Sequence, residues 1–382
     1  MTINVAPEVL SWARERAGID PAALEQKFPA LPAWERGLAA PTFAQLQSFA
    51  KATRAPLGYL LLPEPPNEPV PIPDYRTFGD SGVTRPSVDL LDQIYLVEQR
   101  QEWYRDHQRN LGAEPLDFVG SVDVHDDVVE VAATIAARIG FTLEDRARYR
   151  SWSEALRDLI DLIEVTGVLV MISGVVGANT RRPLDPREFR GFALTDPIAP
   201  VIFVNGKDTK AAQIFTLLHE LVHIWMGESA LSDASMTTRS GHEDERFCNK
   251  VAAETLVPLE SLRAEWADGA DRRQELDRIA ARYRVSTLVA LSRVFDLGHL
   301  PWETYRQWYA EELAYVLARK QQTASDGGNY YNSAPFQMSR RFARAVIADT
   351  LEGRTLHRDA FRMLGFRSAA TLTQLGQRLG VA

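Results

Sequence analysis

The chain has 382 residues, 45% of them apolar, and a net charge of −8. That length allows two or three domains with cores of their own, and the apolar content and charge point to neither a disordered chain nor a wholly basic nucleic-acid binder. A single cysteine, Cys248, excludes an internal disulfide framework and suits a reducing, cytoplasmic compartment.

No basic segment followed by an apolar run opens the sequence, so no secretion signal is expected. Pro7 to Ala17, Pro21 to Phe28 and Thr42 to Thr53 read as short helices. The proline-rich run Leu62 to Pro73 cannot form regular helix or central strand and reads as a stiff extended connector. Helices are then predicted over Val88–Leu111, Asp126–Ile139 and Ser153–Glu164. The longest apolar stretch, Val165 to Ala178, is broken by glycines and too short to span a bilayer, so no membrane partner is expected and a buried strand fits it better. Strand candidates are Val168–Ile172, Phe189–Leu194 and Pro200–Val204.

Next comes His219-Glu220-Leu221-Val222-His223. On a helix, positions i and i+4 share one face, so two imidazoles can close on a single tetrahedral zinc with the intervening Glu220 as general base. The flanks support a helix: Phe215, Leu218, Val222 and Trp225 would form its buried stripe, and Asp208-Thr209 sits where an N-cap belongs. A catalytic zinc needs a third protein ligand and an open position. Glu243 to Pro258 reads as a second helix ended by its proline, with Glu245 and Asn249 on one side. Glu245 would bind the metal and Asn249 would orient it or a neighbouring histidine. Spacing alone leaves Glu254 open as the alternative ligand, Glu243 and Asp244 as acids of a helix N-terminus, and His242 as a loop histidine with no role at the metal or, alternatively, a fourth ligand or oxyanion donor.

Further on, Glu275 to Gly298 has a helix-turn-helix-like pattern of two amphipathic helices with Val285-Ser286 as turn and N-cap; packing is its default role and DNA contact the alternative. Gln321 to Pro335 reads as a second linker. The C-terminal stretch interleaves Arg340, Arg341, Arg344, Arg354, Arg358, Arg362 and Arg367 with apolar residues: either a basic face for nucleic acid or an acidic partner, or a solvated face with local salt bridges.

The stretch from about Val165 to Pro258 resembles the ImmA/IrrE family of bacterial zinc metallo-endopeptidases. The resemblance rests on Glu188-Phe189-Arg190-Gly191-Phe192, Phe203-Val204-Asn205, Phe215 to His223, and the run Glu245-x-x-Cys248-Asn249-x-Val251-Ala252-Ala253 ending at Pro258. It implies Glu245 rather than Glu254 as the third zinc ligand. Cys248 and Val251 replace the family's usual alanine and phenylalanine, as packing changes. The first sixty residues resemble an Xre-type helix-turn-helix, with Trp34-Glu35-Arg36-Gly37 and Pro41-Thr42 at its end, and Gly327-Gly328-Asn329-Tyr330-Tyr331 resembles the tail of the same regulator-plus-peptidase group. The segment that would have to enter the major groove, Pro29-Ala30-Leu31-Pro32-Ala33, carries no Arg, Gln, Asn or Ser for a base edge.

The expected fold is α+β and mainly helical: a zincin-like peptidase core with a small β-sheet, an N-terminal helix-turn-helix and a helical C-terminal region. The expected domains are residues 1–62, a linker over 63–85, the peptidase domain over 86–265, a helical extension over 266–320, and a linker with a basic helical region over 321–382. In zincins an edge strand holds the substrate extended, and the strand ending at Asn205 is one candidate. With His219, His223 and Glu245 holding Zn2+, Glu220 would take a proton from water and deliver it to the leaving amine, with Arg190 or Asn205 as candidate oxyanion donors. The resulting expectation is an endopeptidase acting on one repressor, regulator or toxin partner. The competing expectation is an antitoxin or transcriptional regulator of a toxin–antitoxin operon, acting through DNA and partner binding. An Xre-like unit also suggests a homodimer, by analogy.

Overall fold

A computed structural model describes residues 2–74, 86–232, 243–267, 269–322, 337–366 and 368–381. The chain divides into two compact units, Met1–Pro71 with Thr84–Ile94, and Ile72–Val83 with Tyr95–Ala382.

In the first unit, α1 (Pro7–Ala17) begins on a proline whose missing N–H costs nothing there, and α2 (Pro21–Lys27) begins in the same way. The single-turn α3 spans Leu31–Trp34, and α4 (Phe43–Thr53) is opened by a capping box in which Thr42 and Gln45 serve each other's backbone N–H. Val9, Leu10, Leu24, Leu31, Trp34, Leu46 and Phe49 form its core, with the Phe28 and Trp34 rings set edge-on to Phe49. Leu31 and Trp34 of α3 are buried, while Pro29 and Ala30 before it are exposed.

In the second unit, the later part of α5 (Val88–Asn110) is followed by α6 (Val128–Ile139), α7 (Leu143–Arg148) and α8 (Trp152–Val165). Strands β1 (Leu169–Ser173), β2 (Gly191–Leu194) and β3 (Val201–Asn205) lead into α9 (Lys210–Met226), then β4 (Ala230–Ser232) and α10 (Glu243–Leu256). After these come α11 (Leu259–Glu265), α12 (Arg272–Tyr283), α13 (Thr287–Asp296), α14 (Trp302–Gln322) and three C-terminal helices, Arg340–Leu351, His357–Leu364 and Ala369–Leu379. The fold is α+β, mainly helical, with one small mixed sheet among the described residues. No helix of the described residues is long and apolar enough to cross a membrane.

The sheet order is β1-β3-β2-β4, with β1 parallel to β3 and the other pairs antiparallel. The strand ending at Asn205 is therefore central, with Phe203 paired to Met171 on one side and Phe192 on the other. Its backbone donors and acceptors are spent in two ladders, which overturns the expectation that it could hold a substrate. Strand β4 lies at the sheet margin, and residues 73–74 run along its outer side.

Helix α9 packs against β2, β3, β4, α8 and α10. Every residue from Gln213 to Trp225 is buried, not only the expected stripe of Phe215, Leu218, Val222 and Trp225. It is a central helix with sheet on one side and helices on the other. Helices α12 and α13 give Leu276, Ile279, Tyr283, Leu291 and Val294 to the same core, and Ser286 caps α13 as its position predicts. That pair serves packing. At the C-terminus Arg340 pairs with Asp161, Arg354 with Asp349, and Arg358 and Arg362 with Asp359, while Arg341 donates to the Tyr104 hydroxyl at 2.6 Å. Those local pairs occupy most of the basic face. Arg344 is exposed. Arg367 and the Gly327–Tyr331 run lie outside the described residues.

Candidate metal centre

Helix α9 starts because Thr209, in extended conformation, accepts from the Ala212 N–H. It stops at Gly227, whose φ of 79° is left-handed and lets its N–H return to the His223 carbonyl. Between these caps His219 and His223 sit one turn apart on one face, both fully buried. Helix α10 crosses α9 and brings in Glu245 from its first turn, 2% exposed. The three side chains converge: His219 Nε2 lies 3.2 Å from His223 Nε2 and 3.3 Å from Glu245 Oε2, and His223 Nε2 lies 3.1 Å from Glu245 Oε1. This is the cluster among the described residues that can hold a metal ion.

Those separations test the fit to zinc. Ligands at roughly 2.0–2.1 Å from a tetrahedral ion stand about 3.3 Å from one another. Two imidazole nitrogens and one carboxylate at 3.1–3.3 Å match that edge length, and the N,N,O donor set suits zinc.

The electrostatics point the same way. Burial would push the Glu245 carboxyl up, but the two histidines overcome it and hold the group well below the usual carboxylate range. Burial pulls His223 down, toward the neutral form that can act as a ligand. Glu220, between the histidines and fully buried, is pushed up to about 8 by desolvation, with His219 opposing and Glu245 reinforcing the shift. Neither Glu220 oxygen finds a hydrogen-bond partner in good geometry among the described residues, although the nearby Ser232 hydroxyl favours its charged form.

Strand β2 sets the wall beside Glu220. A Cβ on Gly191 would stand 2.7 Å from Thr216 Cγ2 and 2.9 Å from Glu220 Oε1 and the Phe203 carbonyl, closer than atoms can approach. Only glycine lets β2 lie this near α9.

Other sequence candidates fall elsewhere. Glu254 is paired with buried Arg293 and accepts from the Leu259 N–H at 3.2 Å, so it holds the α10–α11 junction. Glu243 is exposed and Asp244 half-buried in the first turn of α10. Asn249 has a buried Oδ1 with no hydrogen-bond partner among the described residues. The side chain that does reach Glu245 is Ser232, whose hydroxyl donates to Oε1 at 3.2 Å. Sequence reasoning missed it because β4 is three residues long and a lone serine gives no metal-site signal. Asn205 is buried, with Nδ2 donating to the Phe189 carbonyl at 3.2 Å and Oδ1 accepting from the Lys207 N–H at 3.0 Å. Those bonds leave it a structural role. Arg190 lies 3.7 Å from Asp208. His242 lies outside the described residues. Cys248 and Val251 are fully buried, and burial raises the Cys248 thiol far above its ordinary value, so it is an inert packing residue.

Residues 163–295 match the family model of the IrrE N-terminal-like domain of peptidase family M78. This segment runs from the end of α8 into α13, including α9 and α10, and is similar to metallopeptidase domains of the IrrE/ImmA kind. Residues 338–378 match a domain of unknown function, DUF8813. No curated protein matches the chain.

Proposed function

We propose that the chain is a zinc-dependent metallo-endopeptidase in which His219, His223 and Glu245 hold the metal and Glu220 handles the proton. The observation that carries this reading is the convergence of two imidazole nitrogens and a carboxylate at 3.1–3.3 Å in a buried cluster, with Glu220 beside it. A zinc ion held there would supply Lewis acidity, lowering the pKa of a water to about 7 and polarising the scissile carbonyl. Glu220 takes the proton of the attacking water on its carboxylate and gives it to the departing amine. Its burial, which favours the protonated form, suits the second half of that transfer, delivery of the proton to the amine. Ser232 holds Glu245 in place through Oε1. Gly191 lets β2 lie directly against the Glu220 carboxyl.

His219, Glu220 and His223 are all 0% exposed. That burial keeps a folded surface off them and supports cleavage within a locally extended segment. The proposed substrate is a regulatory protein, a repressor or a toxin partner, in keeping with the resemblance to regulator-plus-peptidase chains.

The test is Glu220→Gln. It should retain zinc at wild-type stoichiometry and cut its target about 10²–10⁴-fold more slowly. Comparative proteomics of cells expressing either form would show the substrate accumulating only with the variant. Cleavage by the variant at the wild-type rate would refute the mechanism.

A further inference from the structure

Within the second unit, the outer side of β4 is covered by the chain's own connector. Asp74 forms a parallel bridge with Leu231, the Leu231 N–H donates to the Pro73 carbonyl at 2.9 Å, and Ile72 is buried. The next residue of β4 is Ser232, whose hydroxyl reaches Glu245. A sheet edge one residue from a candidate metal ligand is where an extended peptide would add as a further strand, main chain to main chain.

We propose that residues 72–74 are an intrachain strap over this edge, and that an extended substrate segment gains the edge only by displacing them. The inference rests on the peptidase reading and adds its regulation. The strap's composition makes it a weak competitor. Pro71 and Pro73 have no N–H, so the connector cannot complete a ladder with β4 as an ordinary strand would. The Asp74–Leu231 bridge, the backbone bond to Pro73 and the buried Ile72 side chain help to hold it. A substrate segment with an N–H at every position can pair more fully. The strap owes its advantage to being tethered, since a segment in the same chain competes at an effective concentration on the order of millimolar. The duller alternative is a permanent cover that only hides an edge from aggregation. Such a cover would not exchange with a peptide.

The experiment uses the full chain, its Ile72→Asp variant and a labelled synthetic peptide of residues 66–74. The strap predicts that the peptide binds Ile72→Asp at least ten-fold more tightly than wild type. It also predicts that the Leu231 amide exchanges hydrogen at least ten-fold faster in the variant. Ile72→Ala should shift both readouts in the same direction by less, which guards against a folding defect in the aspartate variant. Neither readout needs metal or turnover. With denatured casein as probe, Ile72→Asp should cut several-fold faster than wild type. If neither form cuts casein, the peptidase reading loses support while the binding and exchange results still decide the strap. Equal peptide binding, unchanged Leu231 protection, or equal casein turnover by two active forms would overturn it.

Discussion

At the residue scale, two residues around the cluster have separable tasks. Ser232 donates to the one Glu245 oxygen that faces His223, so its hydroxyl orients a ligand without being one. Ser232→Ala should weaken zinc about 10–100-fold, by chelator competition, and Ser232→Thr should restore most of it. Equal affinity in the alanine variant would remove the positioning role. Gly191 acts by absence. Its replacement with alanine forces β2 or Glu220 to move, costing roughly 1–3 kcal/mol in denaturant unfolding and lowering turnover while zinc stays bound. A Gly191→Ala variant with full activity and stability would mean that the close approach is not required.

At the element scale, the position of α10 decides where Glu245 stands, and its C-terminal end is held by two buried arginines. Arg146 donates to the carbonyls of Thr255, Leu256 and Phe141, and Arg293 Nε donates to the Val257 carbonyl at 2.9 Å. Burial lowers Arg146 only to about 10, so it stays a cation at neutral pH. Arg146→Met keeps the apolar stem but strands those carbonyls, and should cost roughly 2–4 kcal/mol in denaturant unfolding. A loss under 1 kcal/mol would show that water satisfies them instead. A second junction joins α8 to the Arg340–Leu351 helix, where Ser339 donates to buried Glu164. Burial raises Glu164 to about 7, with the Ser339 bond opposing. A carboxyl whose folded pKa exceeds its unfolded value binds its proton more tightly in the folded chain. Its contribution is therefore complete below about 4.5 and lost as pH rises through about 7. Glu164→Gln should stabilise the chain at pH 8 by about 1–3 kcal/mol, with no gain at pH 4, in unfolding curves at the two pH values. A gain that is the same at both would assign the effect to something other than this proton.

The same elements show what local pattern reveals. Helix α9 and strands β1 and β3 were legible because each has a strong periodicity or a β-branched run, and the Thr209 cap and the Ser286 cap fell where predicted. Helix α7, at six residues, and β4, at three, are too short for a period to register. The burial of α9 on every side was hidden because a stripe reports one face, and its other neighbours come from β2, β4 and α10. The choice between Glu245 and Glu254 was open to spacing because the deciding contact, Glu254 with Arg293, is 39 residues away. Strand order was equally non-local: nothing in Val201–Asn205 tells that β2 and β1 flank it.

At the scale of the whole molecule, one metal ion would tie α9 to α10 across the core of the second unit, so ligand binding and stability are linked. Free zinc at about a thousand times its dissociation constant should stabilise the folded chain by about 4 kcal/mol, and a chelator should lower its melting temperature. A melting curve indifferent to both would mean that the cluster closes as a hydrogen-bonded triad. The central claim is that His219, His223 and Glu245 grip zinc, and elemental analysis of the purified chain tests it most directly. The account predicts about one zinc per chain in wild type and next to none in a His219→Ala/His223→Ala variant that remains folded. Wild-type protein that carries no transition metal and takes up none on titration with zinc would contradict it.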